Sequence, residues 1–124
     1  MNEIGIDLVD VVRIRDLYER WGIRPLQMIF TDEELDLTKS RTQDFNWNSL
    51  AGRYALKEAV IKALPSNEIL NLKDIEILKG KRKEPIINLK GKAAHSFPDV
   101  KWKCSISHDG NLAIAVAMNI GGFL

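Results

Sequence analysis

Arg53-Tyr-Ala-Leu-Lys-Glu-Ala-Val-Ile-Lys62, led in by Leu50, Ala51 and Gly52 and closed by Ala63, Leu64 and Pro65, is the stretch on which the fold turns. It is rich in Ala, Leu, Lys and Glu and has no proline before position 65, which predicts a helix. Ala51, Ala55, Ala59 and Ala63 recur every fourth residue and share one face, where another backbone can approach closely. Tyr54, Ile61 and Leu64 fall on other sides and suit a core. Glu58 and Lys62 stand one turn apart. They read either as a solvated i,i+4 pair or, if the helix is held tightly from behind, as a positioned carboxylate and ammonium.

Working outward, the 124 residues fit a single domain, 1–124. A formal net charge of +1 supplies no global field for nucleic acid, so electrostatic docking must come from a local cluster. The lone Cys104 excludes an internal disulfide and suits a reducing compartment. Glu3, Asp7 and Asp10 are unlike a signal peptide, and the nearly uncharged run from Asn111 to Leu124 is too short to span a bilayer. The expectation is a cytoplasmic protein without membrane association.

Upstream of the helix, Ile4-Gly-Ile-Asp-Leu-Val predicts a strand. Asp7 on it is either a carboxylate seeking a cation, donor or metal, or the end of the strand and the cap of the next helix. Asp10 is placed to cap a helix from Val11 to about Trp21. Arg13, Arg15, Arg20 and Arg24 form a basic cluster, a solvated face or a docking surface for an acidic protein. Thr31 and Glu34 have the spacing of a capping box, with Phe30 and Leu35 as its hydrophobic staple. Residues 39–48 read as a loop, and Asn48 or Ser49 as the cap of the main helix.

Downstream, Asp74-Ile-Glu-Ile-Leu-Lys and Pro85-Ile-Ile-Asn-Leu predict a hairpin. Its charged tip, Lys79-Gly-Lys-Arg-Lys-Glu, lacks interleaved aromatics and reads as a solvated end rather than a nucleic-acid contact. A short helix is expected over residues 92–97. Trp102, Cys104 and Ile106 alternate with Lys103, Ser105 and Ser107, so Cys104 reads as a small core residue. After the Asp109-Gly110 turn, Leu112, Ile114, Val116 and Met118 alternate with Ala113, Ala115 and Ala117. Both faces are apolar, which predicts a central strand whose alanine face meets that of the main helix.

Asp7, Glu58, Lys62, Arg53 and Ser105-Ile-Ser-His108 together suggest chemistry on a diphosphate. Two carboxylates and phosphate oxygens suit magnesium, while Arg53, Lys62, His108 and the serine hydroxyls suit further phosphate oxygens. No Walker-type loop or Cys/His zinc spacing is present.

Along nearly its whole length the chain resembles the holo-(acyl-carrier-protein) synthases, the short class of 4′-phosphopantetheinyl transferases. The motifs that carry this are Gly5-Ile-Asp-Leu-Val with Arg13-Ile14, Phe30-Thr31 with Glu34, the segment Leu50 to Leu64, and Ser105-Ile-Ser-His108. Two departures stand out: Pro65-Ser66-Asn67 replaces a Gly-rich loop, and Lys83-Glu84-Pro85 stands where the family has a GKP-like turn. The resemblance implies an α+β fold, a mostly antiparallel sheet wrapped against a long central helix. It implies magnesium-dependent transfer of 4′-phosphopantetheine from coenzyme A to a serine of an apo acyl carrier protein, releasing adenosine 3′,5′-bisphosphate. Asp7 and Glu58 would hold the metal, with Glu58 and Lys62 catalytic and Arg53, Lys62, Ser107 and His108 binding the donor. Arg13, Arg15, Arg20 and Arg24 would dock the acidic carrier. A homotrimer with sites between subunits is implied as well. The competing expectation is a non-catalytic module that binds a carrier protein or nucleotide. Whether the natural carrier serves fatty-acid or secondary metabolism is not written in these residues.

Overall fold

A computed structural model describes residues 3–65 and 69–121. The departure at Ser66 and Asn67 lies outside the described residues. The elements run β1 (Glu3–Asp10), α1 (Val11–Trp21), α2 (Arg24–Ile29), α3 (Asp32–Thr38), α4 (Trp47–Ala63), a 3-10 turn (Leu72–Asp74), β2 (Ile75–Lys79), β3 (Pro85–Leu89), α5 (Gly91–Ser96), β4 (Trp102–Asp109) and β5 (Leu112–Asn119). Strand pairing is antiparallel throughout, in a sheet of order β1-β5-β4 and a separate β2-β3 hairpin. This is the expected α+β arrangement, although the hairpin is not continuous with the main sheet. No described helix is long and apolar enough to cross a membrane.

The central helix α4 packs on β1 and β5. Ala51, Ala55 and Ala59 lie in the same buried cluster as Ala113, Ala115 and Ala117. Small side chains on both surfaces let the backbones close on one another. The approach is closest at Gly5, where an added Cβ would stand 1.9 Å from the Ala59 carbonyl oxygen.

The predicted starts of helices hold with one exception. Asp10 caps α1, accepting from the Val12 amide at 2.9 Å. Thr31 and Glu34 form the reciprocal capping box of α3. For α4 the cap is Asn46, whose side chain accepts from Ser49 N at 3.0 Å, and not Asn48 or Ser49. The helix thereby starts earlier, brought in by Trp47, whose ring packs at a tilt against Tyr18 and Phe45.

Two residues, Gly110 and Asn111, join β4 to β5, and Gly110 takes the positive φ of +57° that such a tight connection needs. Cys104 is half-buried, its thiol donates to the Pro85 carbonyl at 3.6 Å, and burial pushes its pKa up. It is a packing residue, as its neighbours predicted.

β5 is the central strand, but only one of its apolar faces is covered. Ile4, Ile6 and Leu8 of β1 and Leu112 and Ile114 of β5 form an exposed apolar surface on the side away from α4. The alternation of both strands shows why: small residues meet the helix and large ones are left outside.

Candidate active site

Gly5 brings β1 against the C-terminal half of α4, and Asp7 follows on the same strand face. There Lys62 donates from Nζ to Asp7 Oδ1 at 3.2 Å and to the Ile6 carbonyl at 2.9 Å. Lys62 therefore ties helix to strand instead of pairing with Glu58. Beside the half-buried Glu58 is the Tyr54 hydroxyl. Burial raises its pKa most, with Glu58 and then Asp7 adding to the rise and Arg13 opposing it. Both carboxylates thus act on the ionisation of one hydroxyl, and Lys62 holds Asp7.

Arg53 and His108 lie elsewhere. They line a cleft of about 220 Å³ between α4, the hairpin and β4. Arg53 is 6% exposed. Its Nε donates to the Ile77 carbonyl at 3.1 Å and its Nη1 to the Ser49 hydroxyl. Burial lowers its pKa, and the Glu34 carboxylate opposes that shift. His108 Nε2 donates to the Asn48 carbonyl at 2.8 Å, which defines its tautomer. At about 100° per residue, Arg53 stands roughly 140° from Glu58 and 180° from Lys62 around the helix. Within one chain, the residues that the sequence groups into a single constellation therefore fall into two groups on opposite sides of α4.

Ser105 and Ser107 alternate with Ile106 and His108 on β4, so they fall on the outward face with Lys103, away from the Arg53 cleft. The resemblance groups Ser107 with His108, but strand geometry sends them to opposite sides. Lys79 and Lys83, expected to be solvated, line the Arg53 cleft. Arg13, Arg15, Arg20 and Arg24 are all exposed, with Arg15 beside Glu19 at 3.7 Å. Trp21, 67% exposed, lines a groove with Arg13 and Arg20 and with Asp10 and Asp16.

A buried polar network went unpredicted. Lys57 is fully buried and donates to Glu34 Oε1 at 2.8 Å and to the Leu72 and Ile75 carbonyls at 2.9 and 2.6 Å. Glu34 Oε2 accepts from the Ile77 amide at 3.1 Å, and Thr31 Oγ1 donates to Glu76 at 2.7 Å. Because Arg53 holds the carbonyl of Ile77 and Glu34 holds its amide, one residue of β2 is clamped from both sides. The available signal was Lys57 at helical spacing from Leu50 and Val60, a cation on a side with buried apolar neighbours.

Residues 3–117 match the 4′-phosphopantetheinyl transferase superfamily. A holo-[acyl-carrier-protein] synthase of Clostridium tetani is 35% identical over 119 residues, covering 93% of this chain and 92% of that one. Another, of Pelodictyon phaeoclathratiforme, is 39% identical over 119 residues, covering 94% and 96%. The crystal structure of the Helicobacter pylori holo-[acyl-carrier-protein] synthase in complex with coenzyme A superposes with a TM-score of 0.81 at 34% identity, covering 94% of this chain and 99% of that one. The chain belongs to the holo-[acyl-carrier-protein] synthases, enzymes of the 4′-phosphopantetheinyl transferase superfamily.

Proposed function

We propose that this chain, acting as one domain over residues 1–124, transfers 4′-phosphopantetheine from coenzyme A to a serine hydroxyl of an apo acyl carrier protein. The observation that supports this is Lys62 on Asp7 at 3.2 Å, one helical turn from Glu58, with both acids raising the pKa of Tyr54. Two hard oxygen donors concentrating negative charge in one place fit magnesium. Asp7 and Glu58 would hold it, and bound there it supplies charge neutralisation and orientation for the diphosphate. Glu58 takes the proton of the serine hydroxyl as its oxygen bonds to phosphorus. The phosphorus–oxygen bond of the diphosphate breaks, and the Lys62 ammonium stabilises the charge on the departing adenosine 3′,5′-bisphosphate. Arg53 and His108 bind phosphate at the nucleotide end.

Two half-sites on opposite sides of α4 make a complete site only if a second copy supplies one of them. The exposed apolar face of β1 and β5 offers a surface for that copy. A homotrimer with sites between subunits accounts for both features. Arg13, Arg15, Arg20 and Arg24, with Trp21 beside Arg13 and Arg20, suit the acidic carrier, since an aromatic anchor among arginines is typical of protein interfaces. The setting proposed is the cytoplasm, where the free thiol of Cys104 is at home.

Intact mass of an apo acyl carrier protein after incubation with this chain, coenzyme A and magnesium tests the proposal. The expected result is a gain of one phosphopantetheine, abolished by EDTA. No gain with any of several carriers would mean a binding module and not a transferase.

A further inference from the structure

We infer that Lys83 is a binding residue for the ribose phosphomonoester of coenzyme A, and that it sets the preference for coenzyme A over dephospho-coenzyme A. The inference rests on the coenzyme A reading above. Lys83 occupies the turn between β2 and β3 with φ at +65°, a backbone conformation suited to glycine and disfavoured for a long side chain. From that turn it lines the cleft of about 220 Å³ that also holds Arg53, His108 and Lys79. No acidic residue lines this cleft. Among the described residues, neither Lys79 nor Lys83 has a carboxylate within salt-bridge distance. The adjacent Glu84 is engaged by the turn itself, accepting from the Arg82 amide at 3.1 Å.

Lysines, an arginine and a histidine therefore converge on a small cleft partly walled by Ile77, Ile106 and Pro85, with no acidic residue in its lining. Apolar walls strengthen each charge inside. A phosphomonoester, carrying close to two negative charges near neutral pH, is the group on coenzyme A that uses such a concentration best, since each phosphorus of the diphosphate bears only one. Lysine at a turn position that glycine would occupy without strain is explained by a gain in binding.

The test compares wild type, Lys83→Gly and Lys83→Arg, as full chains, with coenzyme A and with dephospho-coenzyme A as donors. For Lys83→Gly the expected result is a fall of about tenfold in kcat/KM for coenzyme A, the size of one lost charge-assisted contact, carried by KM. The fall for dephospho-coenzyme A should be much smaller, the thermal midpoint should not drop, and Lys83→Arg should keep most of the preference. Calorimetric binding of the two donors gives the same comparison without turnover. If the wild type binds coenzyme A but never modifies a carrier, the activity reading fails while the inference stands on the binding ratio. If Lys83→Gly weakens both donors alike, weakens neither, or if neither donor binds, the inference is overturned.

Discussion

Lys62 donates to the carboxylate of Asp7, 55 positions away in the chain, rather than to Glu58 one turn before it on its own helix. An i,i+4 partner was available and was not taken, so the ammonium serves the strand–helix junction. Lys62 is half-exposed, and such a pair contributes at most about 1 kcal/mol to stability. Lys62→Met should therefore unfold within about 4 °C of wild type while kcat drops by about two to three orders of magnitude, as when a charge-stabilising donor is removed. Thermal unfolding and single-turnover transfer, measured on one preparation, separate the two effects. A variant that turns over normally would rule out the role given to Lys62.

Tyr54 reports on both carboxylates at once. Burial raises its pKa most, with Glu58 and Asp7 adding to the rise. Neutralising either acid should move tyrosinate formation to lower pH, so Glu58→Gln and Asp7→Asn each shift the absorbance titration downward. Magnesium should do the same in the wild type and not in the double variant. A titration indifferent to magnesium would mean that the two acids do not share an ion.

Gly5 has no room to become anything else. A Cβ at this position would meet backbone, the Ala59 carbonyl oxygen and carbon, so β1 and α4 would have to part. Gly5→Ala should cost about 1–3 kcal/mol by overpacking, and activity should fall as well, because Asp7 moves with the strand. Chemical denaturation alongside the transfer assay checks both.

Glu34 and Lys57 are each fully buried and paired at 2.8 Å. Removing one partner strands a charge, so Glu34→Gln or Lys57→Met alone should cost about 3–5 kcal/mol, and the double variant clearly less than the sum. Burial lowers the Lys57 pKa, with Glu34 opposing. A cation whose folded pKa lies below its unfolded one binds protons less well when folded. The Lys57 contribution to stability therefore improves as pH rises from the folded to the unfolded pKa, and a double-mutant cycle repeated at high pH should show a smaller coupling.

Charge reversal at Arg13, Arg15, Arg20 or Arg24 should weaken capture of the acidic carrier, more at low than at high salt, with little change in coenzyme A binding. The residues are exposed and act by steering and contact across solvent. An affinity unchanged at low salt would move the docking surface elsewhere.

What was legible before folding was local or periodic. The Asp10 cap, the Thr31–Glu34 box, the hairpin and the alternating alanines of β5 each depend on a few neighbouring residues, and the structure repeats them. The α4 start was misplaced because three polar residues, Asn46, Asn48 and Ser49 with Trp47 between, all suit a cap, and only the packing of Trp47 on Tyr18 and Phe45 selects among them.

The residue types of the site, and the periodicity that puts Ala51, Ala55 and Ala59 on one face, were determined by the amino-acid order alone, since a helix converts spacing into direction without help from the rest of the molecule. Which side of α4 each functional side chain serves was decided by the tertiary structure. Arg53 is turned to the hairpin and Lys62 to β1, Ser107 and His108 are parted by the pleat, and Lys57 is sunk beside Glu34. The hairpin and β1 are distant from one another along the chain, and only their packing on one helix assigns each charge its partner.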